Sequence, residues 1–226
     1  MGSCENEIRA IARDLGAGQV FLGTFDSTFP GFIRREKPAC AVVNTARRHT
    51  GGAHWVAVAW EPVSHTFYMF DPYGFDDQTL KKVFDFSYQT LMKRSALTST
   101  DDRCINVEKS TECVQGPHSA ACGLYCCLFV YSFARWPQRA LRDSPVMQKL
   151  QGVPTRLLQC PAFAPTFHRN QEYLYATLRR LSPYFRNREA AIRERTRVDR
   201  LLVDSALDGD RSEIPEKHPG PPRPRS

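Results

Sequence analysis

The stretch Val114-Gln115-Gly116-Pro117-His118-Ser119-Ala120-Ala121-Cys122-Gly123-Leu124, with the apolar run that continues to Ala134, decides how this chain is read. Turn-forming residues give way near Ser119, and the sequence from Cys122 is almost wholly apolar until Pro137. That pattern predicts a buried helix from about Cys122 to Ala134. The apolar run, Ala120 to Ala134, is 15 residues long and contains Gly123 and Ser132, which is too short for a bilayer span. A cysteine in the first turn of a helix meets the positive end of the helix dipole and unpaired backbone N–H groups, and both favour the thiolate. A free thiol with a pKa near 8.5 is only about 3% ionised at neutral pH, and pairing with an imidazolium that lowers it to about 4 amounts to roughly 6 kcal/mol. The Cys122 N–H offers one donor to an oxyanion, and the Gln115 side-chain amide, arriving just before it, offers a second. Standing alone, a cysteine that opens a buried helix is ordinary core filler. A base within reach would make it a nucleophile.

That base lies upstream. Three strand-like runs, Cys40 to Thr45, His54 to Trp60 and Thr66 to Phe70, precede the helix, and Glu61-Pro62 joins the last two as a hairpin. His54, after Gly51-Gly52-Ala53, opens one strand, and Asp71, in Phe70-Asp71-Pro72-Tyr73-Gly74, ends the next. Antiparallel neighbours bring these two residues to the same edge of the sheet, where Asp71 accepts from one nitrogen of His54. Nucleophile, base, orienting carboxylate and oxyanion donor are then all filled, by Cys122, His54, Asp71 and Gln115.

The rest of the chain frames this core. Ile8, Ile11, Ala12 and Leu15 fall on one face of a helix expected over residues 3–15, capped at Ser3 and stopped by Gly16. An aromatic loop follows, from Gly23-Thr24-Phe25-Asp26 to Phe29-Pro30-Gly31-Phe32. Asp76-Asp77 caps a helix carrying Leu80, Val83, Phe84 and Leu91 to about Lys93. A strand is expected from Cys104 to Glu108, a short helix between Ser144-Pro145 and Gly152, and further helices over 169–181 and 187–203. The expected fold class is α+β, a central, mainly antiparallel sheet flanked by helices with the nucleophile at one helix N-terminus. Residues 1–205 read as a single domain. Residues 206–226 hold five prolines and no aromatic residue, so they read as a solvated, disordered tail.

Composition narrows the function classes. The chain has 226 residues, 42% apolar and 24% charged, an ordinary globular balance that excludes fibrous and wholly disordered proteins. Eight cysteines are too few for a disulfide scaffold, and the N-terminus lacks the apolar core of a signal peptide, so the expectation is a non-secreted protein with reduced thiols. The absence of any C-x-x-C pair argues against structural zinc, and Cys126 and Cys127 read as core. The formal charge of +7, with Arg34-Arg35, Arg47-Arg48, Lys81-Lys82, Lys93-Arg94, Arg179-Arg180 and six arginines from Arg186 to Arg200, suits a polyanionic partner.

The order of His-Trp, Asp after the next strand, and Gln six residues before Ala121-Cys122-Gly123 resembles the cysteine proteases that include the SUMO-deconjugating enzymes. The likeness is closest to the adenovirus endopeptidase family, and it is carried across residues 1–204 by Asp14-Leu15-Gly16, Phe21-Leu22-Gly23-Thr24, Pro72-Tyr73-Gly74-Phe75, Asp102-Arg103-Cys104-Ile105, Val114-Gln115-Gly116-Pro117 and Ser182-Pro183-Tyr184-Phe185-Arg186. The resemblance implies a catalytic triad of His54, Asp71 and Cys122 with Gln115 at the oxyanion, and cleavage of viral precursor proteins at Gly-rich sites during virion maturation. It also implies activation by a peptide from viral precursor protein VI, disulfide-bonded to Cys104, and by double-stranded DNA bound without sequence preference. No metal cofactor and no membrane partner are expected, and the implied locations are the virion and the host nucleus. Two alternatives stay open: a protease for ubiquitin-like modifiers, and a non-catalytic, basic DNA-binding virion protein.

Overall fold

The computed structural model describes residues 2–50, 52–95 and 104–197. The Pro-rich tail expected at 206–226 and the last residues of the helix expected to reach 203 lie outside the described residues. Five strands form one mixed sheet in chain order: β1 (Phe21–Phe25), β2 (Ala39–Asn44), β3 (Trp55–Glu61), β4 (Thr66–Phe70) and β5 (Asn106–Lys109). The centre, β2 to β4, is antiparallel, while β1 pairs parallel with β2 and β5 parallel with β4 at the two edges. Every residue of β2, β3 and β4 is buried, because both faces of the sheet are covered.

Side chains alternate between two cores with period two. Cys40, Val42, Ala57, Ala59, Tyr68 and Phe70 face one layer, and Ala41, Val43, Val56, Val58, Phe67 and Met69 face the other. The first layer is built on α4 (Cys122–Arg135), with α1 (Glu5–Asp14), α5 (Ala164–Leu181) and α6 (Pro183–Thr196) around it. The small Ala57 and Ala59 let α4 lie close on β3, and Ile8, Ile11, Ala12 and Leu15 bring α1 against it, as the apolar spacing predicts. The second layer is covered by α2 (Asp77–Phe84), α3 (Tyr88–Arg94) and the loop holding Phe29 and Phe32. A short ladder of β6 (Glu112–Cys113) with β7 (Val153–Pro154) carries the chain toward α4. Among the described residues no helix is long and apolar enough to cross a membrane.

Several elements differ from the sequence expectation: α1 is capped at Cys4, one residue after the expected Ser3, and α5 begins at Ala164, five residues before the expected 169. Phe21–Phe25 is an edge strand, where a loop was expected from Gly23. Gly23, at φ +125°, irregularly shifts the register there and breaks the alternation that would have marked a strand. The single helix expected after Asp76-Asp77 is two, because Asp85 takes the left-handed conformation (φ +53°) and Ser87 caps a new start. The segment after Ser144 makes one 3-10 turn, Met147–Lys149, with the Ser144 hydroxyl accepting from the Met147 N–H. α6 begins at Pro183, with Ser182 as cap, four residues before the expected 187.

Candidate active site

Register places the first pair. Ala57 faces Phe70 across β3 and β4, so His54, just before β3, and Asp71, just after β4, leave the sheet at the same end. His54 Nε2 lies 2.6 Å from Asp71 Oδ1, with 2% and 1% of the two residues exposed. The carboxylate is held by its own turn: Oδ1 also accepts from the Tyr73 N–H at 3.0 Å, and Oδ2 accepts from the Phe75 N–H at 3.0 Å. Burial opposes a charged imidazole, but the charge and hydrogen bond of Asp71, then the Cys122 side chain, outweigh it and raise the His54 pKa from 6.5 to about 10. With Nε2 committed to Asp71, Nδ1 is the ring nitrogen left free to serve Cys122.

Cys122 is the first residue of α4, and no side chain caps the helix at Ala121, which leaves the first N–H groups to the cleft. Gly123 beside it is a packing necessity: a Cβ there would sit 2.9 Å from Ser3 Cβ and 3.0 Å from Ile8 Cδ1. Gln115 Nε2 donates to the Ser119 carbonyl at 2.6 Å and to the Tyr73 hydroxyl at 3.2 Å, while its Oε1 is buried with no partner among the described residues. Ser119 ties this loop inward, its hydroxyl bonding Gln171 and the Thr196 carbonyl at the end of α6. All four residues named from sequence therefore line or adjoin one cleft of about 440 Å³, whose walls also include Gly2 to Glu5, Asn44 and Trp55.

Sequence reasoning missed the residues that fix the imidazole. Its ring lies between those of Tyr73 (centroids 4.8 Å apart, 21° between planes) and Phe84 (5.0 Å, 15°). Phe84 reads from sequence as a core position of a helix, and nothing local distinguishes it. Tyr73, two residues after Asp71, carried the one available hint. Asn44 was also missed: its Oδ1 accepts from the Ala53 and Ala46 N–H groups and holds the approach to His54.

Cys104 is apart from this cleft, exposed and two residues before the edge strand β5. Cys126 and Cys127 are fully buried, and burial raises both thiol pKa values. Among the described residues, no group of three or more His, Cys, Asp and Glu could hold a metal ion.

A model of the family described as adenovirus endoprotease matches residues 21–200. The protease of bovine adenovirus B serotype 3 is 55% identical over 204 residues, covering 90% of this chain and all of that one. Those of human adenovirus A serotype 12 (53% over 201 residues) and porcine adenovirus A serotype 3 (54% over 202) each cover 89% of this chain and 98% of their own. A solved structure, ChlaDub1 from Chlamydia trachomatis, aligns over 76% of this chain and 79% of its own at 14% identity with a TM-score of 0.30, too slight a likeness to argue from. On the family match and this level of identity over nearly the whole length of the viral proteases, the chain belongs to the adenovirus endoprotease family and is a cysteine peptidase.

Proposed function

We propose that the chain is an endopeptidase that cleaves viral precursor proteins at Gly-rich sites during virion maturation, with Cys122 as nucleophile, His54 as acid and base, and Asp71 as its orienter. The observation that carries this reading is the buried 2.6 Å contact from Asp71 to one nitrogen of His54, with Cys122 on the same cleft. In the proposed reaction the Cys122 thiolate adds to the scissile carbonyl, and the negative oxygen is held by the Cys122 N–H and the Gln115 side of the cleft. His54 gives its proton to the departing amine as the C–N bond breaks and a thioester remains. The neutral imidazole then takes a proton from water, whose oxygen adds to the thioester, and the second collapse expels the Cys122 sulfur and leaves a carboxylic acid. Asp71 fixes the ring and stabilises the imidazolium without taking its proton.

Regulation is part of the proposal. The exposed Cys104 thiol beside the open edge of β5 suits a cysteine-bearing viral peptide that adds along that edge and is retained by a disulfide. The charge of +7 suits DNA as a second activator. The deciding experiment is cleavage of a Gly-rich peptide with and without the precursor VI peptide and duplex DNA. Turnover raised by each addition is expected. Turnover confined to Gly-Gly-linked modifiers would favour the deconjugating alternative, and no turnover in any combination would overturn the enzyme assignment of the site.

A further inference from the structure

We propose that Ser119 is a positioning residue for the nucleophile: its buried hydroxyl fixes the start of α4 against the C-terminal end of α6, and the catalytic rate depends on that joint. The inference rests on the reading of Cys122 as nucleophile. The chain enters α4 through Ser119-Ala120-Ala121-Cys122, so Ser119 carries the last side chain before the nucleophile that can make a hydrogen bond. Ala121 gives α4 no side-chain cap, and its N–H donates instead to Ser119 Oγ at 3.2 Å. The Ala121 carbonyl accepts from the Leu124 and Tyr125 N–H groups at 2.9 and 3.1 Å. The residue directly before Cys122 is therefore held at both ends, and one of the two holds is Ser119.

α5 and α6 supply the other side of the joint. The Ser119 hydroxyl donates to Gln171 Oε1 at 2.8 Å and to the Thr196 carbonyl at 3.2 Å, sharing one hydrogen between them. Thr196 ends α6, where a helix leaves its final carbonyls without internal partners. Gln171 Nε2 also donates to that carbonyl, at 2.5 Å, and to the Tyr175 hydroxyl. The Thr196 hydroxyl donates to the Ile192 carbonyl at 2.7 Å and so accepts from Tyr175 at 2.8 Å. Ser119 and Thr196 are 1% exposed and Gln171 2%, so solvent cannot stand in for a lost partner. A buried network with every member satisfied holds one arrangement. Without the Ser119 hydroxyl, the Ala121 N–H and Gln171 Oε1 are left unpaired, and the junction relaxes to serve them. The Cys122 N–H moves with it. An oxyanion donor works because it is in place before charge develops, and a misplacement of about 1 Å costs up to about 10²-fold in rate.

The measurement is kcat and KM on a Gly-rich peptide for the full-length wild type, Ser119→Ala, Gln171→Met, the double variant and Tyr175→Phe, each well below its own unfolding midpoint so that only folded enzyme is compared. We expect Ser119→Ala to lower kcat by roughly 10- to 10²-fold with KM nearly unchanged. Gln171→Met, close in volume to the native residue, should do the same in smaller measure. The double variant should lose no more than the worse single one, because both break one joint. Tyr175→Phe removes hydrogen bonds from the same buried cluster but none made by Ser119, so it should keep its kcat even where it lowers stability. Full kcat in Ser119→Ala, or a raised KM with kcat intact, would overturn the inference. Multiplying losses would do so too, since Ser119 would then act without its anchor on α5. An equal loss in Tyr175→Phe would assign the effect to general loosening of α5 and α6. If Ser119→Ala does not fold, Gln171→Met against Tyr175→Phe decides by the same criteria. Turnover by Cys122→Ala would sink the nucleophile reading itself, an outcome distinct from all of these.

Discussion

A charged imidazole and a carboxylate, both buried, persist only when each satisfies the other, and His54 and Asp71 do so at 2.6 Å. The folded pKa of His54, near 10, lies above its usual 6.5, so its charged form stabilises the fold fully below about 6.5 and that contribution is lost as pH rises toward 10. In the proposed mechanism the same shift sets the alkaline side of activity, because there the general acid is the imidazolium. The kcat/KM of the wild type is therefore expected to hold well above neutral pH and to fall as pH approaches 10. Asp71→Asn removes the charge that holds the pKa up, so its alkaline limb should move toward neutral pH, with weak residual turnover because the Cys122–His54 pair still forms. A pH–rate profile of the two proteins checks this; an unmoved limb would mean that Asp71 does not set the titration. Cys122→Ala should have no measurable turnover by the same assay.

At the scale of elements, the two poles of the site are joined by one turn. Residues 71–74 lie against residues 112–115: the Val114 and Gln115 N–H groups donate to the Pro72 carbonyl, and Cys113 Sγ to the Tyr73 carbonyl. Gly74, at φ +62°, closes this contact, and a Cβ there would lie 2.5 Å from the Glu112 backbone. Gly74→Ala should cost about 1–3 kcal/mol from backbone strain alone. The steric overlap adds to that, and it should also lower kcat by spreading Asp71 from Gln115. Urea denaturation and peptide cleavage test the pair; unchanged stability would mean that the turn yields freely. Much of this was legible in sequence because Gly51-Gly52 runs just ahead of His54, Pro72 and Gly116 directly follow Asp71 and Gln115, and the run after Cys122 admits only a buried helix. What stayed hidden depends on through-space neighbours: a stacked Phe84 has the same local signature as a core phenylalanine, and a parallel edge strand interrupted at Gly23 has no clean alternation.

At the scale of the molecule, the sequence treats the basic residues as one reservoir of charge, but the structure divides them. Arg193 pairs with Glu172 and Glu189, Arg179 with Glu189, Arg197 with Glu194, and Arg195 with the buried Glu7. Arg179, Arg193 and Arg195 thereby tie α5, α6 and α1 together, and all four arginines are already ion-paired. Arg180 and Arg186 line the same shallow surface and make no ion pair among the described residues. If duplex DNA binds through phosphates alone, the logarithm of affinity falls linearly with that of salt, with a slope of about 0.9 per phosphate neutralised. Replacing both Arg180 and Arg186 by Gln should then flatten the slope by about 1.8 units while leaving DNA-independent peptide cleavage intact. Arg195→Gln should instead lower thermal stability, since it leaves the buried Glu7 carboxylate without its charge partner. Affinity measured between about 50 and 200 mM salt on two unrelated duplexes of equal length decides the matter. Equal affinities and a steep wild-type slope are expected. A flat slope, or a strong preference for one duplex, would show that this face of the protein does not serve the nucleic-acid backbone.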